Sequence, residues 1–150
     1  MRTSKFRAKR YSDGEWVYGS GIVFCDDCCF IDKNDECYIQ RPYAFRGNTH
    51  FIELATVLCE QHPVCQFTGL YDKNGTEIYE GDIIRSFDSN NKEIIHHIEW
   101  RDTQARYVAV HKRESVWHID LTSDVYQEWI DEFEKEIIGN IYDNPDILNI

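Results

Sequence analysis

Gln66-Phe67-Thr68-Gly69-Leu70-Tyr71-Asp72-Lys73-Asn74-Gly75-Thr76-Glu77-Ile78-Tyr79-Glu80-Gly81-Asp82-Ile83-Ile84 is the stretch from which the fold is read. A strand over residues 64–70 leads into it, and residues 76–79 return from it. Asn74-Gly75 is the turn between them, because both central positions of a type I′ turn need φ > 0 and Asn and Gly tolerate that best. Gly81-Asp82 turns the chain again, into Ile83-Ile84-Arg85-Ser86-Phe87. Three β segments follow one another within about 25 residues, the spacing of a small all-β unit.

Downstream, Ser89-Asn90-Asn91 is a further turn. Residues 94–100 alternate, with Ile94, His96, Ile98 and Trp100 on one face of a strand. Residues 106–111 and 116–121 pair around Lys112-Arg113-Glu114. Ser123-Asp124 caps a helix over residues 125–133, whose Tyr126, Trp129, Ile130 and Phe133 form an apolar stripe at 3.6 spacing. Residues 137–142 read as a last strand, and Asn144-Pro145 as an N-cap with proline at the first helical position of a terminal turn.

Upstream, residues 5–8 begin a strand that reaches a turn at Ser12-Asp13-Gly14. Trp16-Val17-Tyr18-Gly19 and Gly21-Ile22-Val23-Phe24 are β-rich and punctuated by glycine. Residues 29–31 and 37–39 flank a polar hairpin loop at 32–36. Residues 41–50, with Pro42, Gly47 and Asn48, read as a longer loop. Residues 51–60 fit a helix or a strand about equally, and Pro63 is expected to end either. The fold expected from all this is mainly β. It is one domain, with β-hairpins over about residues 1–63, a small barrel over about 64–150, and one or two short helices near the C-terminus.

The 150 residues are 42% hydrophobic and 14% aromatic, a globular mix. No apolar run nears the ~20 residues that cross a bilayer as a helix. The basic start, 1–10, is followed by no apolar h-region, so no signal peptide is expected. The six cysteines therefore read as thiols in a reducing compartment. The net charge of -11 is unevenly spread. Arg2, Lys5, Arg7, Lys9 and Arg10 open the chain with no acid among them, whereas residues 124–150 hold eight acids against Lys135. A chain without a basic face beyond residue 10 is a poor fit to generic nucleic-acid binding. Glu128, Asp131, Glu132 and Glu134 are a candidate surface for a basic partner, or simply a solvated helix face.

Few motifs point to chemistry. Cys25-Asp26-Asp27-Cys28 has the spacing of half a zinc site, but Cys59 and Cys65, six apart, make no second tight pair. No metal ligand set and no cofactor is expected. Asp26 and Asp27 also disfavour a reactive thiolate at Cys28 or Cys29. His96 and His97 are adjacent, so on a strand they point to opposite faces. Gly19-Ser20-Gly21 lacks the rest of a phosphate-binding loop. No catalytic residue is nominated. Trp16, Tyr18, Trp100, Arg106, Tyr107 and Trp117 are candidates for a ligand pocket, against the alternative that aromatics fill small β cores and rims.

Three stretches together resemble the YopX family. They are Lys5-Phe6-Arg7-Ala8 with Tyr18-Gly19 downstream, residues 66–75 continued by Ile78-Tyr79-Glu80-Gly81-Asp82-Ile83-Ile84, and Ile137-Ile138-Gly139-Asn140-Ile141-Tyr142-Asp143-Asn144-Pro145. The resemblance implies a phage- or prophage-encoded protein in the cytoplasm of a bacterial host. It also implies a mostly β fold with an SH3-like barrel in the signature half. It implies no catalytic activity and no active site to carry over. Residues 24–50 and 91–136 match none of its signatures. The expected function is a non-enzymatic binding module acting on a host or phage protein, and self-association is expected through the basic first ten residues. The alternative is an oligomeric counter-defence protein that sequesters a host signalling nucleotide. A small enzyme and an acidic DNA mimic are the remaining readings.

Overall fold

The computed structural model describes the backbone of residues 4–10, 12–25, 28–32, 41–45, 48–52, 56–102, 105–111, 118–120 and 134–149. It describes the side chains of residues 4–10, 12–21, 63–102, 105–111 and 134–148. The expected helix over 125–133 lies outside the described residues. Within them the protein is mainly β, with two antiparallel sheets of which one curls as a half-barrel. The helical content among the described residues is one short 3-10 turn, Pro145–Asn149, where Asn144-Pro145 predicts a helical start. No helix among the described residues is long and apolar enough to cross a membrane.

The chain divides into two compact units, residues 1–66 and 67–150. In the first, β1 (Phe6–Arg10), β2 (Trp16–Gly19), β3 (Gly21–Cys25), β4 (Cys28–Asp32) and the first part of β7 (Thr56–Tyr71) form a sheet in the order β2-β1-β7-β4-β3. Ala8, Val17 and Cys65 are buried in it. β5 (Arg41–Phe45) and β6 (Asn48–Ile52) make a separate two-stranded ribbon, Tyr43 opposite His50. Residues 41–45 and 48–50 are thus paired strands and not the loop that Pro42 and Asn48 suggest. Pro42 is tolerated because a two-stranded ribbon consists only of edges.

Pro63 does not end a segment. It lies inside the 16-residue β7. Pairing with β4 stops at Glu60, and pairing with β1 shifts register between Ala8↔Val64 and Arg10↔Cys59. Proline sits in that irregularity, where a missing N–H leaves no ladder bond unmade. The strand reading of 51–60 is the one realised, by β6 and β7 on either side of 53–55.

In the second unit the end of β7 pairs with β8 (Glu77–Tyr79). The main sheet there runs β12-β11-β10-β9-β13, from β9 (Asp82–Phe87), β10 (Glu93–Arg101), β11 (Arg106–His111), β12 (His118–Asp120) and β13 (Glu136–Asn140). Its register sets Trp100 opposite Tyr107, Ile98 opposite Ala109, and His96 between Ile84 and His111. The alternation read from 94–100 therefore builds the inner face. Leu70, Ile78, Ile84, Ile98, Tyr107 and Ala109 form its core, with Ile137 packed on them.

The turn at Asn74-Gly75 is placed correctly but is not type I′. Only Gly75 has positive φ, at 78°, and its N–H donates to Asp72 O at 2.9 Å. The turn spans Asp72 to Gly75 and ends in a left-handed glycine, the longer alternative to a two-residue loop. Asp72 explains the choice, because its Oδ1 accepts the N–H of Asn74 at 2.8 Å and of Thr76 at 2.9 Å. A local carboxylate captured these amides, as Asp does in an Asx turn.

Candidate functional site

The sequence nominated two sets of residues. Of the acidic set, Glu134 is exposed and left-handed at φ 46°, while Glu128, Asp131 and Glu132 lie outside the described residues. Of the aromatic set, Trp16 and Tyr18 belong to the first unit, and Trp100, Arg106 and Tyr107 to the second. Trp117 lies outside the described residues.

In the first unit, register pairs Arg7 with Tyr18 and Lys9 with Trp16, so alternation puts all four on one face of β1 and β2. The Arg7 guanidinium sits 4.7 Å, and the Lys9 ammonium 5.4 Å, from the Trp16 ring centre. Such contacts hold the cations over the negative ring face. Trp16 is thus engaged by its own sheet, and Tyr18 is the exposed member at 48%.

In the second unit, Trp100 and Tyr107 meet across β10 and β11 in a T-shaped contact, ring centres 4.9 Å apart. Tyr107 belongs to the core, whereas Trp100 is 41% exposed. The Trp100 Nε1–H donates to Asp102 Oδ1 at 2.8 Å, which fixes the ring at the end of the hairpin. The next register pair is Arg101↔Arg106, two like charges directly opposite, which costs stability unless offset. Glu99 offsets one of them, accepting from Arg101 Nε at 2.8 Å. Ala105, at φ 50°, completes this end in a conformation that alanine adopts at a cost. The exposed tryptophan and the opposed arginine pair lie at the same hairpin end, on opposite faces of its two strands.

A buried polar group that the sequence reading did not nominate occupies the other end of the same inner face. His96 and Lys135 are nearly inaccessible, at 5% and 1%. His96 meets His111 edge-to-face, ring centres 5.4 Å apart. Ser86, also buried, is on the same face of β9. Lys135 lies one step beyond the Glu136↔Arg85 pair, on the side of Ser86, and acts electrostatically on His96. Burial first, then the positive charge of His111, Lys135 and His97, pushes the His96 imidazole down to about 4. Two signals for this group were in the sequence: a histidine inside an apolar row, and a lone base in an acidic stretch.

The signature acids serve the fold. Asp82 is buried and its Oδ2 accepts the Tyr79 N–H at 2.7 Å, closing the turn at Gly81. Asp72 holds its hairpin as described above. Glu136 joins Arg85 at 3.1 Å and Lys73 at 3.2 Å. Those bonds, Arg85 first, hold its carboxyl below the ordinary range. Among the described residues no group of three His, Cys, Asp or Glu is arranged to hold a metal ion. The side chains of Cys25, Cys28, Cys29, Cys37 and Cys59 lie outside those described.

Two antiparallel sheets, with the signature turns at Asp72-Gly75 and Gly81-Asp82 in the second unit, define a β protein whose distinctive acids and glycines are folding devices. The family described as "YopX protein" matches residues 5–149, and the chain belongs to the YopX family. A solved structure titled "Crystal structure of protein EF1440 from Enterococcus faecalis" is similar at 21% identity and a TM-score of 0.53, over 97% of each chain. That likeness is one of fold. No curated protein matches the chain.

Proposed function

We propose that this protein is a binding module without turnover, a phage or prophage accessory protein that docks on a host or phage protein in the bacterial cytoplasm. The observation that carries the reading is the β10–β11 end, where exposed Trp100 stands on buried Tyr107 and is held by the Asp102 carboxylate. Trp, Tyr and Arg are the residue types that dominate binding energy at interfaces, and such anchors work when ringed by polar groups. The signature residues support the absence of turnover. Thr68, Asp72, Gly81 and Asp82 are each occupied by a turn or a close approach. The finer fold reading, an SH3-like barrel in the second half, accompanies this proposal, and the sheet order β12-β11-β10-β9-β13 supports it.

Self-association through the basic N-terminal strand belongs to the same reading. Light scattering of the full chain, with and without residues 1–10, tests it. A monomer mass for both would remove it. The binding reading is tested by affinity capture from phage-infected lysate, with mass spectrometry of proteins and small molecules. A protein captured by the wild type and lost with Trp100→Ala supports it. A nucleotide released on heating, or its slow conversion, overturns it.

A further inference from the structure

We propose that Asn74 is a modification site, whose side-chain amide converts spontaneously to a carboxylate when the Asp72 turn opens and is kept unreacted while the turn is closed. Asn74 is the one asparagine of the sequence that is followed by glycine. Both residues are exposed, and a Cβ placed at Gly75 would meet nothing within 4 Å. Water therefore reaches the pair, and no side chain at Gly75 shields its amide nitrogen.

That nitrogen is the nucleophile. Hydroxide removes the Gly75 N–H proton, the nitrogen attacks Asn74 Cγ, and the Cγ–Nδ2 bond breaks. Nδ2 takes protons from water and leaves as ammonia, and a five-membered succinimide remains. Water then adds to either of the two ring carbonyls. Cleavage at Cγ restores the original main chain with aspartate at position 74. Cleavage at the main-chain carbonyl gives isoaspartate. The balance is water in and ammonia out, and nothing is oxidised or reduced.

The closed turn opposes the ring closure. The Gly75 N–H donates to Asp72 O at 2.9 Å, so the proton that must leave is held and the nitrogen is tied away from free rotation onto Cγ. The N–H groups on either side, of Asn74 and Thr76, donate to Asp72 Oδ1 at 2.8 and 2.9 Å. The Asp72 N–H donates to Thr76 O at 2.8 Å. The Asp72 carboxylate also sets its charge against the two amides that flank the nitrogen, and that charge disfavours an anion there. Reaction therefore passes through the opened turn, and its rate follows the population of that state.

Conversion to isoaspartate reinforces itself. The main chain then runs through Cβ and Cγ of residue 74 and is longer by one atom. The lengthened turn cannot keep the amides of residues 74, 75 and 76 all on Asp72. The same carboxylate accepts the Ile137 N–H, and the Lys73 N–H donates to Lys135 O, so a damaged turn loosens the hold of β7 and β8 on β13.

The experiment is incubation of the full chain in mildly alkaline buffer, folded and in urea, with peptide mapping by mass spectrometry that separates aspartyl from isoaspartyl products. Asn74 is expected to convert at least about tenfold more slowly in the folded chain than in urea, the scale of a hydrogen bond to a charged group. Folded Asp72→Asn is expected to convert faster than the folded wild type. The isoaspartyl fraction is expected to unfold at lower urea than unmodified protein. An Asn74 that stays intact in urea, or that converts equally fast folded and unfolded, overturns the proposal. A folded Asp72→Asn as slow as the wild type overturns the gating by Asp72, and an isoaspartyl fraction with the unmodified midpoint overturns the coupling to β13. If Asp72→Asn does not fold, the two wild-type rates decide alone.

Discussion

Asp72 and Ile137 are 65 residues apart in sequence, and the carboxylate of one accepts the backbone N–H of the other at 3.2 Å. The same side chain accepts Asn74 and Thr76 through its other oxygen. The Lys73 N–H donates to Lys135 O at 2.9 Å beside it. One hairpin turn thus ties β7 and β8 to the entrance of β13. Burial would raise the Asp72 carboxyl, but the N–H groups of Thr76, Ile137 and Asn74 outweigh it and hold the group below its ordinary value of 3.8.

Asp72→Asn replaces one acceptor by a donor facing an amide, and is expected to cost about 1–3 kcal/mol. Because the folded-state value is depressed, the charged form contributes stability that is present above the unfolded value. It is lost as pH falls through the folded one. The gap between wild type and Asp72→Asn, read from urea unfolding, should be constant near neutrality and close below about pH 4. A gap that persists unchanged into acid would show that the charge is irrelevant.

Thr68 is buried at a register shift between Phe67↔Tyr79 and Tyr71↔Glu77. Gly69, at φ 92°, makes the bulge. The Thr68 hydroxyl donates to Ile78 O at 2.8 Å and accepts the Leu70 N–H at 3.2 Å, replacing ladder bonds that the bulge removes. Thr68→Val keeps the shape and strands both groups. Thermal or urea unfolding should show a loss of about 1–3 kcal/mol, and Thr68→Ser should recover most of it.

Gly81 has φ 82°, and a Cβ there would lie 2.6 Å from Tyr142 Cε2. Gly81→Ala therefore meets two separate obstacles. The left-handed backbone costs about 1–2 kcal/mol for an L-residue. The steric part can be relieved, because Tyr142 is partly exposed and movable. Adding Tyr142→Ala should restore the steric share and leave the backbone share. A double mutant as unstable as Gly81→Ala, measured against Tyr142→Ala, would assign the whole cost to the backbone.

What the sequence showed and what it hid divide along physical lines. Alternation at 94–100 and the turn dipeptide at 74–75 are local, and both survive in the fold. The turn type was hidden because Asp72 decides it through a side chain that also serves Ile137, far away in sequence. Pro63 was misread because its tolerance depends on where the two neighbouring strands stop pairing, which no local pattern encodes. Residues 41–45 and 48–50 were misread because proline suits an edge ribbon as well as a loop. For the candidate site, Trp100 and Tyr107 were nominated and come together, whereas Arg106 lies on the opposite face of the same strands. Lys135 was visible only as a lone base among acids, and its burial beside His96 is a matter of tertiary packing.

The binding reading meets its sharpest test at Trp100. Its ring is held by two contacts, the edge of Tyr107 and the Asp102 carboxylate. Trp100→Ala gives up the ring contact with Tyr107, so it should lower stability modestly, by about 1–2 kcal/mol, and leave the fold intact. If the ring is an interface anchor, its loss should weaken partner capture by at least about thirtyfold, the scale of a hot-spot truncation. Trp100→Phe keeps a ring against Tyr107 and removes only the Nε1–H. Capture near the wild-type level in Trp100→Phe would assign the anchor to ring area, and capture as poor as in Trp100→Ala would assign it to the oriented indole. Undiminished capture by Trp100→Ala, with the fold intact by circular dichroism, would remove the β10–β11 end as the docking site.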